Sequence, residues 1–368
     1  MDLTRRRLLG AGGVGFATAV AGCLSEPGEG GESGNGGLSS GYAAFFVLYD
    51  WTETVAGDGM DIENVLAVGE AGHGWNPPSD LVLDVAESDV FVYLDTPEFS
   101  WAQDIAAQLK EEDGVTPIDL LEAVDPSDRL AWEDHDHNDE ENHEEGDDHD
   151  DEKNHEEGDD HGDEKNHEEG DDHDHQEDDD GPGDEFQDPH VWIDPILAGE
   201  MVEVLGDQLA ELDPDNADQY RENASAYVDR LDDVDQQLRE LSDAARVDVG
   251  IFAGHDSFRY VEDRYGFELH SPQGVSPSAE PSPDDIAETI DLVEDNDIDT
   301  ILYDPLETDS GGPPPLAQRI LDSTDASEAR PLSSGDGTTA EWNDEGWGWI
   351  EQMTELNLPS LRAALDAE

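Results

Sequence analysis

The chain has 368 residues, of which 98 are Asp or Glu and 16 are Lys or Arg, a formal net charge of −82. That balance excludes a nucleic-acid binder, which needs basic patches for phosphates, and a single cysteine excludes any disulfide within the chain. Self-repulsion on this scale is screened in molar salt, where the Debye length is about 3 Å, so the composition points to a halophile.

The N-terminus predicts export. Thr4-Arg-Arg-Arg-Leu-Leu9 is a twin-arginine pattern, and residues 10–22 are a short run of small and apolar side chains. The run falls short of the roughly 20 apolar residues that span a bilayer. Residues 1–22 therefore read as a twin-arginine signal peptide, which carries a folded chain outward. The segment ends Val20-Ala-Gly-Cys23, similar to a lipobox, which gives the lone Cys23 a role in lipidation at the outer face of the cytoplasmic membrane. Residues 23–41, rich in Gly, Ser and Glu, read as a flexible tether.

From residue 42 the chain predicts a layered α/β fold. Tyr42–Tyr49, Val65–Val68 and Val90–Leu94 are apolar runs of strand length, with a helix expected over 78–86 between them. Residues 134–185 differ. They repeat a twelve-residue unit that starts at Asn142, Asn154 and Asn166, and 30 of the acids fall within 133–185. With almost no apolar residue to bury, this block is expected to be a disordered insertion. It carries nine histidines: His135, His137, His143, His149, His155, His161, His167, His173 and His175. Their regularity favours auxiliary metal capture over a merely solvated loop.

Order is expected again from Phe186. Ala217, Tyr220, Ala224, Tyr227, Leu231, Val234, Leu238, Leu241 and Ala245 alternate steps of three and four. That spacing predicts one amphipathic helix over 216–245, about 45 Å long at 1.5 Å per residue. A helix of that length suits a linker, taken as 213–246, between a first lobe at 42–212 and a second at 247–368. In the second lobe, strands are expected at 247–253 and 300–303, a helix at 283–295, and a closing helix at 349–365 that Pro359 kinks. The fold class is thus α/β: two lobes with largely parallel sheets, joined by one long helix.

Four histidines lie outside the acidic block. His73, in Gly69-Glu-Ala-Gly-His-Gly-Trp-Asn-Pro-Pro-Ser-Asp80, follows a predicted strand. His190, in Asp188-Pro-His-Val-Trp-Ile-Asp-Pro195, is stiffened by flanking prolines, with Asp188 or Asp194 available to orient its ring. His255, in Phe252-Ala-Gly-His-Asp-Ser-Phe258, and Asp304, in Thr300-Ile-Leu-Tyr-Asp-Pro-Leu306, both follow predicted strands. Carboxyl ends of parallel strands are where ligands bind in such sheets. His270 reads as structural, and Trp342, Trp347 and Trp349 as packing for the last helix. No nucleophile–base pair is evident.

Together these stretches resemble the ZnuA-like (cluster A-I) zinc-binding proteins of ABC importers over nearly all of residues 42–366. The Asp-Pro-His-Val-Trp-Ile-Asp-Pro octet is the most specific piece. Phe45–Tyr49, Val55-Ala-Gly57, Glu280-Pro-Ser-Pro283, Met353 and Asn357 also match. The resemblance implies an extracytoplasmic protein of haloarchaeal type. It would be a monomer that holds a metal between its lobes through His73, His190, His255 and Asp304, and delivers it to a permease and ATPase complex. Three imidazoles and a carboxylate suit tetrahedral Zn²⁺. Asp304 stands where many zinc-binding members have Glu, which leaves Mn²⁺ or Fe²⁺ as alternatives. Four protein ligands would close the site, unlike that of a zinc hydrolase. A metal-storage or adhesion protein without a transporter is the other alternative.

Overall fold

The computed structural model describes residues 37–72, 74–110, 114–131, 187–275, 280–308 and 312–367. The signal segment with Cys23, His73 and the nine histidines of the acidic block lie outside these residues.

Two four-stranded sheets, all parallel, carry the molecule. The first lobe contains β1 (Ser40–Ala43), α1 (Phe46–Ala56), β2 (Asp61–Asn64), α2 (Leu81–Ala86), β3 (Val90–Tyr93), α3 (Ser100–Leu109), β4 (Thr116–Asp119) and α4 (Pro195–Leu212). Its strand order is β2-β1-β3-β4. Helix α5 (Ala217–Ala244) follows. The second lobe contains β5 (Val249–Ala253), α6 (Arg259–Tyr265), β6 (Glu268–His270), α7 (Pro283–Asp295), β7 (Thr300–Tyr303), α8 (Pro315–Ser323), β8 (Glu328–Pro331), α9 (Ala340–Glu345), α10 (Trp349–Glu351) and α11 (Leu358–Ala364). Its order, β6-β5-β7-β8, repeats that of the first lobe. In each sheet the chain reverses direction beside its first strand, so the two crevices form between β1 and β3 and between β5 and β7.

The long helix is continuous, and its buried residues Tyr220, Ala224, Tyr227, Leu231, Val234, Leu238 and Leu241 are those the three-four spacing selects. They share one core with α1, α4 and the closing helices. In the second sheet, alternate residues part company: Phe252 and Leu302 join that common core, while Ile251, Ala253, Ile301 and Tyr303 face a smaller one under α7 and α8. Helix α7 starts on a capping box in which Ser282 and Asp285 satisfy each other's backbone N–H.

Three expectations are corrected. The Tyr42–Tyr49 run is not one strand: β1 ends at Ala43 and α1 starts at Phe46. Phe46, Val47 and Leu48 are all buried, and continuous burial removes the periodicity that separates helix from strand. Val65–Val68 is not the second strand, which lies just before it at Asp61–Asn64 on the sheet edge. The tether does not reach residue 41, because β1 begins at Ser40 and Asp89 accepts hydrogen bonds from the Ser39 and Ser40 amides. The closing segment is helical as expected, but it is not one uniform α-helix. A π-helical stretch, Gln352–Asn357, separates α10 from α11 immediately before Pro359. Among the described residues no helix is long and apolar enough to cross a membrane.

Candidate metal centre

His255 and Asp304 follow the adjacent strands β5 and β7, at the crevice of the second sheet. Both are buried. His190 opens a short helical turn at residues 191–193 that leads into α4, and it too is buried. Its ring meets that of His255 with 5.3 Å between centroids. The structure thus brings together a first-lobe histidine with a second-lobe histidine and aspartate.

Each imidazole is oriented in the same way. Asp188 Oδ1 accepts from the His190 backbone N–H at 3.0 Å and lies 2.7 Å from its Nδ1. Glu307 Oε1 accepts from the His255 N–H at 3.3 Å and lies 3.3 Å from its Nδ1. A carboxylate on Nδ1 fixes the proton there, which leaves Nε2 as the basic nitrogen. Both Nε2 atoms are buried. Asp188 is itself supported from the second lobe: the Tyr260 hydroxyl donates to its carbonyl at 2.9 Å, and the Arg259 guanidinium lies 4.0 Å from its carboxylate. Burial raises the Asp188 carboxyl, but His190 and Arg259 outweigh this and hold it below the usual range. Asp194, the other residue considered for the orienting role, instead caps α4 through the Ile196 N–H and pairs with Arg264.

The acidic side of the centre is richer than the sequence suggested. The loop after β8 carries Asp336, which is buried beside Asp304. Ser334 Oγ donates to Asp336 Oδ1 at 2.6 Å and lies 3.3 Å from Asp304 Oδ2. Asp336 Oδ2 is buried with no hydrogen-bond partner among the described residues. Burial, then repulsion from Asp336 and Glu307, pushes the Asp304 carboxyl up to about 7. Burial pulls the His255 imidazole down, yet Glu307, Asp304 and Asp336 together raise it. Unbalanced negative charge sealed from water is what a bound cation neutralises. His255, Asp304 and Glu307 each offer one ligand atom within 4.8 Å of the others. The donor set, imidazole nitrogen with carboxylate oxygen, fits a divalent transition metal.

Asp336 and Glu307 were missed in the sequence. Asp336 sits in the polar stretch Ser333-Ser-Gly-Asp-Gly337 after β8, an edge strand whose Glu-Ala-Arg-Pro sequence has no apolar run. A Gly-rich loop following one more turn of the α/β alternation was the available signal. Glu307 ends the short helical turn Pro305–Glu307 after β7. His270, read as structural, contacts Thr289 on α7.

His73 lies outside the described residues, but its neighbour Gly72 does not. A Cβ there would meet the Phe99 ring at 2.8 Å. Phe99 stacks on Phe45, and both pack on Trp192, whose ring lies 5.2 Å from that of His190. The backbone before His73 therefore abuts the aromatic floor on which His190 rests.

Residues 42–363 match the family described as ZnuA, zinc-uptake complex component A, periplasmic. The zinc-binding lipoprotein AdcA of Streptococcus pneumoniae (strain ATCC BAA-255 / R6) is 27% identical over 335 residues, 88% of this chain. The match spans 55% of AdcA, so the chain corresponds to about half the length of that relative. The high-affinity zinc uptake system protein ZnuA of Bacillus subtilis (strain 168) is 26% identical over 94% of this chain and 93% of its own length. Among solved structures, the Zn(II)-bound ZnuA-like domain of S. pneumoniae AdcA superposes with a TM-score of 0.64 at 24% identity. That superposition covers 90% of this chain and all of the domain, and it shows the two-lobed fold.

Proposed function

The chain belongs to the ZnuA family of zinc-uptake components, and from that premise we propose that it captures Zn²⁺ outside the cell and hands it to an ABC importer. One observation carries the reading: His190 and His255, contributed by different lobes and each oriented by a carboxylate, meet at 5.3 Å beside the buried acids Asp304 and Asp336. Zinc is cargo here, and no catalytic step is required of the chain.

The proposed ligands are His73, His190, His255 and Asp304, with Asp336 as a second carboxylate within reach of the same ion. Two ligands of a tetrahedral zinc sit about 3.3 Å apart for bonds near 2.0–2.1 Å. Paired rings at 5.3 Å suit that spacing. Asp188 and Glu307 act on the imidazoles rather than on the ion. Export by the twin-arginine route and lipid anchoring at Cys23 would hold the chain beside its permease and ATPase, and the histidines of 134–185 would raise the local zinc concentration. Manganese and iron remain the rival cargoes, because Asp304 and Asp336 supply harder oxygen than three imidazoles alone.

The test is zinc titration of protein purified without chelator, against His190→Ala, His255→Ala, Asp304→Asn and Asp336→Asn. Loss of at least tenfold in affinity in each histidine variant supports the site, and the aspartate variants decide which carboxylate binds. Unchanged affinity in both histidine variants would remove the assignment. For delivery, zinc uptake should fall in cells that lack the chain and return only with a binding-competent copy.

A further inference from the structure

Among the described residues, three first-lobe donors hold the second-lobe loop 333–338. The Phe46 N–H donates to the Asp336 carbonyl at 3.3 Å, and the Gly69 N–H to the Thr338 carbonyl at 2.8 Å. The third donor is the only side chain: Trp192 Nε1–H gives 2.8 Å to the Ser334 carbonyl. Trp192 is fully buried and lies two residues beyond His190, against which its ring packs. Ser334, at the other end of that bond, reaches Asp336 Oδ1 with its hydroxyl. A continuous path of contacts thus runs from His190 through the indole to a carboxylate of the opposite lobe. The loop fits closely on both sides. Gly335 has φ +77°, and a Cβ there would lie 3.0 Å from the Trp349 ring.

We propose that Trp192 is a positioning residue that sets the separation between the first-lobe imidazole and the second-lobe carboxylates, and thereby the size of ion the centre accepts. This rests on the metal-site reading above. The indole donor is the part of the strap that chemistry can remove, because the other two donors are backbone. With it gone, the loop carrying Asp336 can recede from His190. A compact four-coordinate ion loses most from that, whereas Mn²⁺, which prefers more and harder oxygen ligands, tolerates a wider centre.

The experiment is parallel titration of the full-length exported protein with zinc chloride and with manganese chloride. Trp192→Phe keeps an aromatic ring and deletes the N–H. It should lower the ratio of zinc to manganese affinity at least tenfold and speed zinc dissociation. Gly337→Ala is an independent wedge, since its Cβ would lie 2.9 Å from the Glu70 carbonyl across the lobes. It should shift the ratio the same way with Trp192 intact. Trp192→Phe and Asp336→Asn should be non-additive for zinc, as expected of coupled positions. A lower melting temperature with an unchanged metal ratio in both Trp192→Phe and Gly337→Ala overturns the proposal and leaves Trp192 as core packing. Unchanged zinc affinity in His190→Ala and Asp336→Asn overturns the site reading and the proposal with it. Loss there with an unchanged ratio in Trp192→Phe overturns the positioning role alone.

Discussion

Asp304 carries a carboxyl raised to about 7, by burial first and by Asp336 and Glu307 next. An unfolded aspartate titrates near 3.9. Between those values the folded chain keeps a proton that the unfolded chain has lost. The contribution to stability is complete below about pH 4 and is lost as pH rises through 7. Asn mimics the protonated carboxyl at every pH. Chelator-treated Asp304→Asn should therefore gain on the wild type from pH 5 to pH 8. The ceiling is about 4 kcal/mol, at about 1.4 kcal/mol per pK unit. Urea unfolding at a series of pH values measures this, and a flat difference would contradict it. Asp188 supplies a second expectation. It is buried and accepts from both nitrogens on one side of His190. Asp188→Asn keeps the shape but removes the carboxylate that holds the proton on Nδ1 and orients the ring. Zinc affinity should fall about 10- to 100-fold, as for other partners of ligating histidines, while the melting temperature of the chelator-treated protein changes little by comparison.

At the scale of elements, α1, α5 and α10 meet on one carboxylate. Asp50 of α1 accepts from the Tyr227 hydroxyl of α5 at 2.7 Å and from the Trp349 amide of α10 at 3.0 Å, both at Oδ2. Burial raises the Asp50 carboxyl, and these two donors oppose that rise. Glycine at 348 follows from the crowding, because a Cβ would lie 2.2 Å from Asp50 Oδ1. Nearby, Arg230 of α5 pairs with Glu351 of α10 at 2.6 Å; that pair is partly exposed and contributes little. Tyr227→Phe deletes one of these two donors to a partly buried acid and should cost about 1–3 kcal/mol in urea unfolding. Gly348→Ala should destabilise as well, since the Asp50 carboxylate must move and its bond to Trp349 must lengthen. Because α5 packs along its whole length in a core shared by both lobes, these losses should appear in a single unfolding transition rather than in one lobe alone.

For the whole molecule, net charge and the acidic insertion matter most. With a formal charge of −82, repulsion over the folded surface should be relieved by salt as the Debye length shortens from about 10 Å at 0.1 M to about 3 Å at 1 M. The melting temperature should rise steeply between 0.1 M and 3 M KCl, and a salt-independent melting curve would remove the halophilic reading. The insertion can be tested cleanly because the described residues that flank it are neighbours. Ala131 and Gln187 form an antiparallel bridge, and the Asp188 N–H donates to the Leu130 carbonyl at 2.9 Å. A short turn can therefore replace residues 134–185. The shortened protein should fold, keep its tightest zinc site and lose only weaker binding. Loss of the tight site would place it in the insertion instead.

The sequence alone determined what is periodic or tied to a local motif. Three-four apolar spacing specified α5, and short apolar runs specified β3, β5 and β7, because such segments bury their own side chains whatever lies opposite. The His190 octet, with the histidine and aspartate after β5 and β7, pointed to metal chemistry and to the family. Tertiary structure alone decided how those residues are completed. Glu307 meets His255 across 52 positions, Trp192 reaches Ser334 across 142, and Trp349 reaches Asp50 across 299. Such partners are polar groups on irregular loops or at helix ends. No repeat marks them, and they are selected by which strand ends the topology brings side by side. The same holds for β8 and Asp336. An edge strand buries little, so its sequence carries no apolar signal, and the carboxylate beyond it becomes a candidate only once the parallel order β5-β7-β8 sets its loop beside Asp304.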